Sequence, residues 1–483
     1  MLLSKLIYGL KIKKIIGKTD IDIKNVIIDS KLSNKDALFI CISGKGFDGH
    51  DFIKQAVKYG VSAIVCEREC DANVTQIIVE NTRIAMSVIA AEFYGHADKK
   101  MKIVGVTGTN GKTTTTYIIK NILDEAGVKC GVIGTLGIVY GKNHLEPTLT
   151  TPDPLELHRI FADMYKDGVK TVVMEVSAHA LYWDKVEEIN FEVGVFTNLT
   201  QDHLDFFDDI DTYKKAKMKM FEKGRCKFTV SNSDDPVGLE IINSVNNSVS
   251  YGIDNPADVF AVNINVSNEG TDYFINLFDN IYEIKIPLIG KFNVYNSLAA
   301  ATTCVLLGVK TNDCEKGLNK MCGVSGRMEK IYGGKFNIYV DYAHTPDGLK
   351  NSLSSIKNIC NKRLICVFGC GGNRDESKRS IMGKISGQIA DFTVITSDNP
   401  RFEEPMKIIS DVEKGMLEVS KKYVIVQNRE EAIKYAINYA KKGDTVLIAG
   451  KGSEKYQEIL GVKHLYNDKD TVMEILRNEK ISD

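Results

Sequence analysis

Gly105-Val106-Thr107-Gly108-Thr109-Asn110-Gly111-Lys112 runs directly into four threonines, Thr113 to Thr116. Before it lies the short apolar run Lys102-Ile103-Val104, which reads as a strand; after it, Tyr117 to Leu123 reads as an amphipathic helix. A glycine-rich turn between a strand and a helix N-terminus presents backbone N–H groups to phosphate oxygens. Lysine adds a point charge there, and the first threonine hydroxyl suits Mg²⁺. The spacing departs from the strict P-loop by one residue: Val106 stands five before Gly111, with Gly105 one further back. Strand and helix flanks support ATP or GTP binding all the same.

Working outward, short apolar β-branched runs alternate with helical patterns. Upstream, the strand candidates are Asn25–Ile28, Ala37–Ile40 and Ala63–Val65, with a helical stretch near Phe52–Val57. The loop opens a second series at Val128–Ile133, Thr171–Val176, Val193–Asn198 and Phe228–Ser231. A third comprises Asn337–Val340, Arg363–Phe368, Phe392–Thr396, Tyr423–Val426 and Thr445–Ala449. The pattern predicts an α/β chain with parallel sheets covered on both faces. Three domains are expected, at residues 1–98, 99–328 and 329–483: a smaller N-terminal α/β domain, a central P-loop domain and a C-terminal Rossmann-like domain. The length of 483 residues fits about three domains.

Composition narrows the class. Apolar residues make up 43% and charged residues 26%, ordinary globular values. A net charge of −1 gives no global attraction for nucleic acid or anionic membrane. No apolar run approaches the ~20 residues of a membrane span, and the N-terminus lacks the order of a signal peptide. Eleven scattered cysteines without a Cys-x-x-Cys pair point to reduced thiols and a cytoplasmic protein.

Two strand ends beside the loop carry chemistry. Met174-Glu175-Val176-Ser177-Ala178-His179 supplies a carboxylate, a hydroxyl and an imidazole; Phe196-Thr197-Asn198-Leu199-Thr200-Gln201-Asp202-His203-Leu204-Asp205 does the same one strand later. Alone, each is most often structural. Beside a phosphate loop they become candidates for Mg²⁺, an ion that takes oxygen ligands. The lysines at 214, 215, 217 and 219 read as a solvated face, with one exception considered next.

The chain resembles the Mur ligase family over nearly all its length. Gly108 to Thr114 matches that family's ATP loop, displaced glycine included; Glu175, Asn198, Asp202-His203, Gly290 to Asn296 and Gly326-Arg327-Met328-Glu329 match further motifs in order. Thr150-Thr151-Pro152-Asp153, Asp341 to Asp347 and Asp398-Asn399-Pro400-Arg401 narrow the resemblance to the branch that extends UDP-MurNAc-L-Ala-D-Glu by a third amino acid. It implies ATP and Mg²⁺ as cofactors, the UDP-dipeptide and meso-diaminopimelate as substrates, no nucleic acid or membrane partner, and a monomer.

The same resemblance assigns residues. ATP falls to Gly108, Thr109, Asn110, Gly111, Lys112, Thr113, Thr114, Asn293, Asn296, Arg327 and Asp341; metal to Thr113, Glu175, His203 and Lys217, the last as a carbamate. Lys112, Glu175, His203, Lys217 and Arg327 are the implied catalytic set. The UDP-MurNAc-dipeptide falls to Ser30, Lys45, Gly46, Phe47, Thr150, Thr151, Ser177 and Lys185. Lys185 stands where arginine is usual, keeping the charge without bidentate geometry. Diaminopimelate falls to Arg374, Asp398, Asn399, Pro400, Arg401, Gly450 and Glu454, arginine being suited to clamp its second carboxylate. Rival readings are a relative that adds lysine or another amino acid and, remotely, a P-loop switch ATPase without ligase activity. Folylpolyglutamate synthetase fits the first 98 residues poorly.

Overall fold

Strands buried at every position form the middle of the first sheet. The computed structural model describes residues 1–44, 46–146, 148–222 and 224–481. Its strand order is Ile12–Ile16, Thr75–Val79, Ala63–Cys66, Ala37–Ile40, Asn25–Ile27. The first pair is antiparallel and the rest are parallel. Leu38, Ile40, Val65 and Ile77 face one core with Leu6, Met86 and Ile89, while Phe39, Ile64, Cys66 and Ile78 face another with Ile53 and Ala56. Such two-sided burial explains why these strands read as unbroken hydrophobic runs.

Two compact units divide the chain. One contains Met1–Thr107, Val128–Gly194 and Ala216–Phe228; the other contains Gly108–Gly127, Val195–Lys215 and Thr229–Asp483. The first unit holds the sheet above and a second, in which Lys102–Thr107, Thr171–Glu175 and Cys130–Gly134 run parallel. Gly137–Tyr140 and Asn143–Leu145 extend it antiparallel. The register sets Glu175 against Val106, two residues before Gly108, so its carboxylate emerges at the strand end that feeds the loop.

In the second unit the loop helix Lys112–Glu125 packs on Lys291–Leu306. Strands Ser248–Gly252 and Val259–Ser267 pair in parallel; Val259–Ser267, Gly270–Leu277 and Asn280–Ile286 form an antiparallel meander. A third sheet has the order Glu329–Gly333, Asn337–Asp341, Thr445–Ala449, Leu364–Phe368, Phe392–Ile395, Tyr423–Ile425. Only the Glu329–Gly333 pairing is antiparallel. The α/β expectation therefore holds. The sheets are mixed, however, because hairpins edge strands that the periodicity marked as parallel. In the third sheet, the loops after residues 341, 368, 395 and 449 leave one end, where open α/β sheets bind ligands.

Candidate active site

The phosphate loop is built around two left-handed glycines. Gly108 has φ +145 and Gly111 φ +87; a Cβ would lie 1.9 Å from Thr197 Oγ1 at the first and 2.4 Å from Asn296 Oδ1 at the second. The end of the Phe191–Phe196 strand holds what lies between. Asn110 N donates to Asn198 Oδ1 at 2.9 Å, while Thr197 Oγ1 and Asn198 Nδ2 donate to Asn110 O at 2.6 and 3.2 Å. Thr109 N donates to Asn198 O at 2.9 Å. Lys112 Nζ donates to the carbonyls of Gly108 and Thr109, both at 2.8 Å, which keeps its ammonium over the loop. Thr114 is buried one residue beyond Thr113.

Asn293 and Asn296 are almost fully buried. Asn296 Nδ2 donates to Asn293 Oδ1 at 3.0 Å and Thr115 Oγ1 donates to Asn296 Oδ1 at 3.3 Å, so the pair braces the loop helix. Arg327 Nη2 donates to Thr113 Oγ1 at 2.9 Å and its guanidinium lies 4.2 Å over the Tyr342 ring. Asp341 sits beneath that arginine: it accepts from Met328 N at 3.0 Å and from Ser352 Oγ, and burial pushes its carboxyl above the usual range. Its carboxylate thus fastens the turn that carries Arg327. Asp347 accepts from Asn110 Nδ2 at 3.1 Å and adds a second tether to the loop.

Behind the loop, Asp202 gathers three cations or potential cations. His203 Nε2 lies 3.3 Å away, Lys378 Nζ 3.8 Å and His344 Nε2 4.0 Å. Burial alone would raise its carboxyl, but these neighbours outweigh it and hold it down at about 2. Asp202 thereby orients the imidazole of His203, whose backbone is left-handed at φ +57.

The first unit gathers the other expected groups. Glu175 is buried; Thr135 donates to its two carboxylate oxygens, from N at 2.9 Å and from Oγ1 at 3.2 Å. Thr150 Oγ1 lies 3.3 Å from Thr135 Oγ1. Thr151 Oγ1 donates to Glu175 O at 2.9 Å and accepts from Ser177 N at 3.0 Å; Ser177 caps the helix Ala178–Tyr182. One hydrogen-bonded chain therefore joins the expected dipeptide hydroxyls to the expected metal carboxylate. Lys217 is 1% exposed. Lys185 pairs with Asp153 at 2.8 Å. Ser30 Oγ donates to Gln55, Gly46 faces open space and Phe47 is exposed; Lys45 lies outside the described residues.

At the end of the third sheet, Asn399 Nδ2 and Lys451 Nζ donate to Glu454 Oε2 at 2.9 and 2.8 Å, and Lys451 also reaches Asn399 Oδ1 at 3.0 Å. Asp398 is buried, yet Lys451 and Arg429 keep its carboxyl below the usual range. A Cβ at Gly450 would lie 2.7 Å from Asp398 Oδ2, so the two loops touch. Pro400 precedes Arg401, whose backbone is left-handed at φ +53. Arg374 is half exposed, 4.0 Å from Asp205. Sequence reasoning missed Thr135 and Lys451. Of these only Lys451, a lysine between two glycines at a strand end, carried a readable signal.

Each unit by itself offers oxygen donors that suit Mg²⁺: the Thr113 hydroxyl in the second and the Glu175 carboxylate in the first. Among the described residues no group of three or more His, Cys, Asp or Glu is disposed to hold a metal by itself.

Fold and loop define an α/β nucleotide-binding protein. The Mur ligase middle domain matches residues 106–304, the Mur ligase glutamate ligase domain 326–452 and the Mur ligase catalytic domain 22–94. UDP-N-acetylmuramoyl-L-alanyl-D-glutamate–2,6-diaminopimelate ligase 1 of Clostridium acetobutylicum is 43% identical, with 99% of each chain covered. The ligase of the same name, without the numeral, from Clostridioides difficile is 42% identical with the same coverage. A solved structure of such a ligase aligns over 99% of both chains with a TM-score of 0.71 and 28% identity. A MurF ligase of Thermotoga maritima, solved with ADP, shares the fold at TM-score 0.65 and 22% identity, covering 96% of this chain and 100% of that one. The chain belongs to the Mur ligase family.

Proposed function

We propose that this protein joins meso-diaminopimelate to the γ-carboxylate of D-Glu in UDP-MurNAc-L-Ala-D-Glu, using ATP, as a cytoplasmic step of peptidoglycan synthesis. The observation that carries the reading is the phosphate loop tied to Arg327 through Thr113, in a chain matched end to end by diaminopimelate ligases. The γ-phosphoryl group passes to the carboxylate oxygen, releasing ADP and leaving an acyl phosphate. The amine attacks its carbonyl carbon and phosphate departs. Lys112 and Arg327 balance the charge on the transferring group, and the loop amides orient it. Magnesium, when bound with the nucleotide, supplies further neutralisation; Thr113, Glu175, His203 and a carbamylated Lys217 would hold it.

Three functional domains, 1–98, 99–328 and 329–483, suit this chemistry, a division supported by where the three family matches fall. Thr150, Thr151, Ser177 and Lys185 would hold the dipeptide, and Ser30, Lys45, Gly46 and Phe47 the UDP group. Asn399, Arg401 and Glu454 would hold the amino acid. Eleven free cysteines support the cytoplasmic setting.

The test is ADP release with purified protein. It should require the UDP-dipeptide and meso-diaminopimelate together and stop when EDTA removes Mg²⁺. Turnover of ATP without the dipeptide would instead favour a switch ATPase. Arg401→Ala should cost far more with diaminopimelate than with lysine; equal losses would reassign the amine.

A further inference from the structure

We infer that Arg83 is a positioning residue for the long substrate: it holds the loop expected to take the UDP group at a fixed distance from the segment expected to hold the dipeptide. The inference rests on the reading above. Arg83 lies in the first turn of the helix Thr82–Phe93, where the Asn81 side chain accepts from its backbone N at 2.8 Å. Its Nε and Nη2 both donate to Ser43 O, the former at 3.1 Å. Ser43 and Asp48 flank Gly46 and Phe47, and Ser43 Oγ donates to Asp48 Oδ1 at 2.8 Å. The far side of that loop returns to the same helix. His50 Nε2 accepts from Glu67 N at 2.9 Å, so its Nδ1 carries the proton shared with Asp48. Glu67 Oε1 in turn accepts from Thr82 N and Oγ1, each at 3.0 Å.

The same guanidinium meets the dipeptide side. It lies 4.0 Å over the ring of Trp183, which directly follows the helix that Ser177 caps. One turn along, Ser87 Oγ donates to Asp184 O and Lys185 O at 3.2 and 3.4 Å. Residues four apart share a helix face, so a single face grips the 183–185 segment twice. Asp184 and Asp153, the partner of Lys185, favour the charge on Arg83 against burial, which pulls its pKa below the usual value. All of these residues belong to the first compact unit. A guanidinium is planar. Ser43 O takes its edge and Trp183 its face, so two directions are fixed at once, which a lysine ammonium cannot do. Keeping a half-buried charge here costs desolvation free energy; simple packing would be served by methionine. UDP and dipeptide are two ends of one molecule. Binding at the uridine end speeds turnover only where it presets the γ-carboxylate at the other end, and a fixed span between the two segments does that.

The experiment measures kcat and KM for UDP-MurNAc-L-Ala-D-Glu with the full chain, ATP, Mg²⁺ and meso-diaminopimelate. Arg83→Met keeps the bulk and removes the fork and the charge. It should lower kcat about tenfold while moving KM by less than about twofold, the mark of a misplaced reacting group. Arg83→Lys, which restores only the charge, should not recover the rate. Trp183→Leu leaves Arg83 on Ser43 O and should show the same split. The double variant should lose no more than the larger single change, because the two side chains act as one unit. An unchanged kcat, a loss carried by KM, additive losses in the double variant or full recovery in Arg83→Lys would overturn the inference and leave Arg83 as a support for the fold. If Arg83→Met does not fold, Trp183→Leu decides by the same split. An unaltered protein that makes no product from the UDP-dipeptide ends the parent reading, and this one with it; an active protein whose variants behave otherwise ends this inference alone.

Discussion

Glu175 shows how one side chain serves two purposes. Thr135 anchors both of its oxygens, so its position survives loss of charge but its electrostatic role does not. Glu175→Gln should therefore lower kcat by about 10²–10³-fold, the usual cost of one missing electrostatic stabiliser. The KM for the UDP-dipeptide should stay nearly unchanged, as steady-state ADP release would report. A comparable rise in KM would mean that Glu175 shapes the dipeptide pocket instead. Residues of this kind were legible because strand-end carboxylates beside a glycine loop have few other uses. Thr135 was not legible, because its value lies in a hydrogen bond to a residue forty positions away. Asp341 was legible as a motif member; only its contact with Met328 N shows that it holds the turn bearing Arg327.

Elements were readable in proportion to their burial. Thr445–Ala449, buried throughout, was expected and found with the same bounds. The meander at 259–286 escaped notice because its two hairpin turns are Asn268-Glu269 and Phe278-Asp279, the latter with φ of +50 and +65, and neither is the Asn-Gly or Asp-Gly pair that usually announces a tight hairpin. The loop-to-helix junction makes a stricter demand. At Gly111 a methyl group would meet Asn296 Oδ1, and left-handed backbone costs a non-glycine residue roughly 1–2 kcal/mol. Gly111→Ala should weaken ATP binding by about tenfold or more on these grounds, measured by calorimetry. An unchanged affinity would mean that the junction relaxes freely and that its shape is not what holds phosphate.

For the molecule as a whole, the C-terminal sheet hangs on one buried ion pair. Arg429 and Asp468 are fully buried and joined by two hydrogen bonds of 2.8 Å; Arg429 also reaches Ala449 O at 2.9 Å. Arg429→Met should strand a buried carboxylate and destabilise the fold by about 3–5 kcal/mol, seen as a shifted urea transition. Arg429→Met with Asp468→Leu should recover much of that loss. The thiols offer a second global check. Of eleven free cysteines only Cys322 is exposed, and burial pushes Cys66, Cys226, Cys314, Cys366 and Cys370 up to about 12. A thiol reagent should find one fast site in the native protein and eleven after denaturation.

Overall stability also bears on how this pocket can evolve. Arg401 holds a left-handed backbone that favours glycine or asparagine, at roughly 1–2 kcal/mol to the folded state. Lineages selected only for heat resistance would tend to drift away from arginine there. Lineages whose substrate carries a second carboxylate would keep it, so the identity of this one codon should record which pressure has dominated.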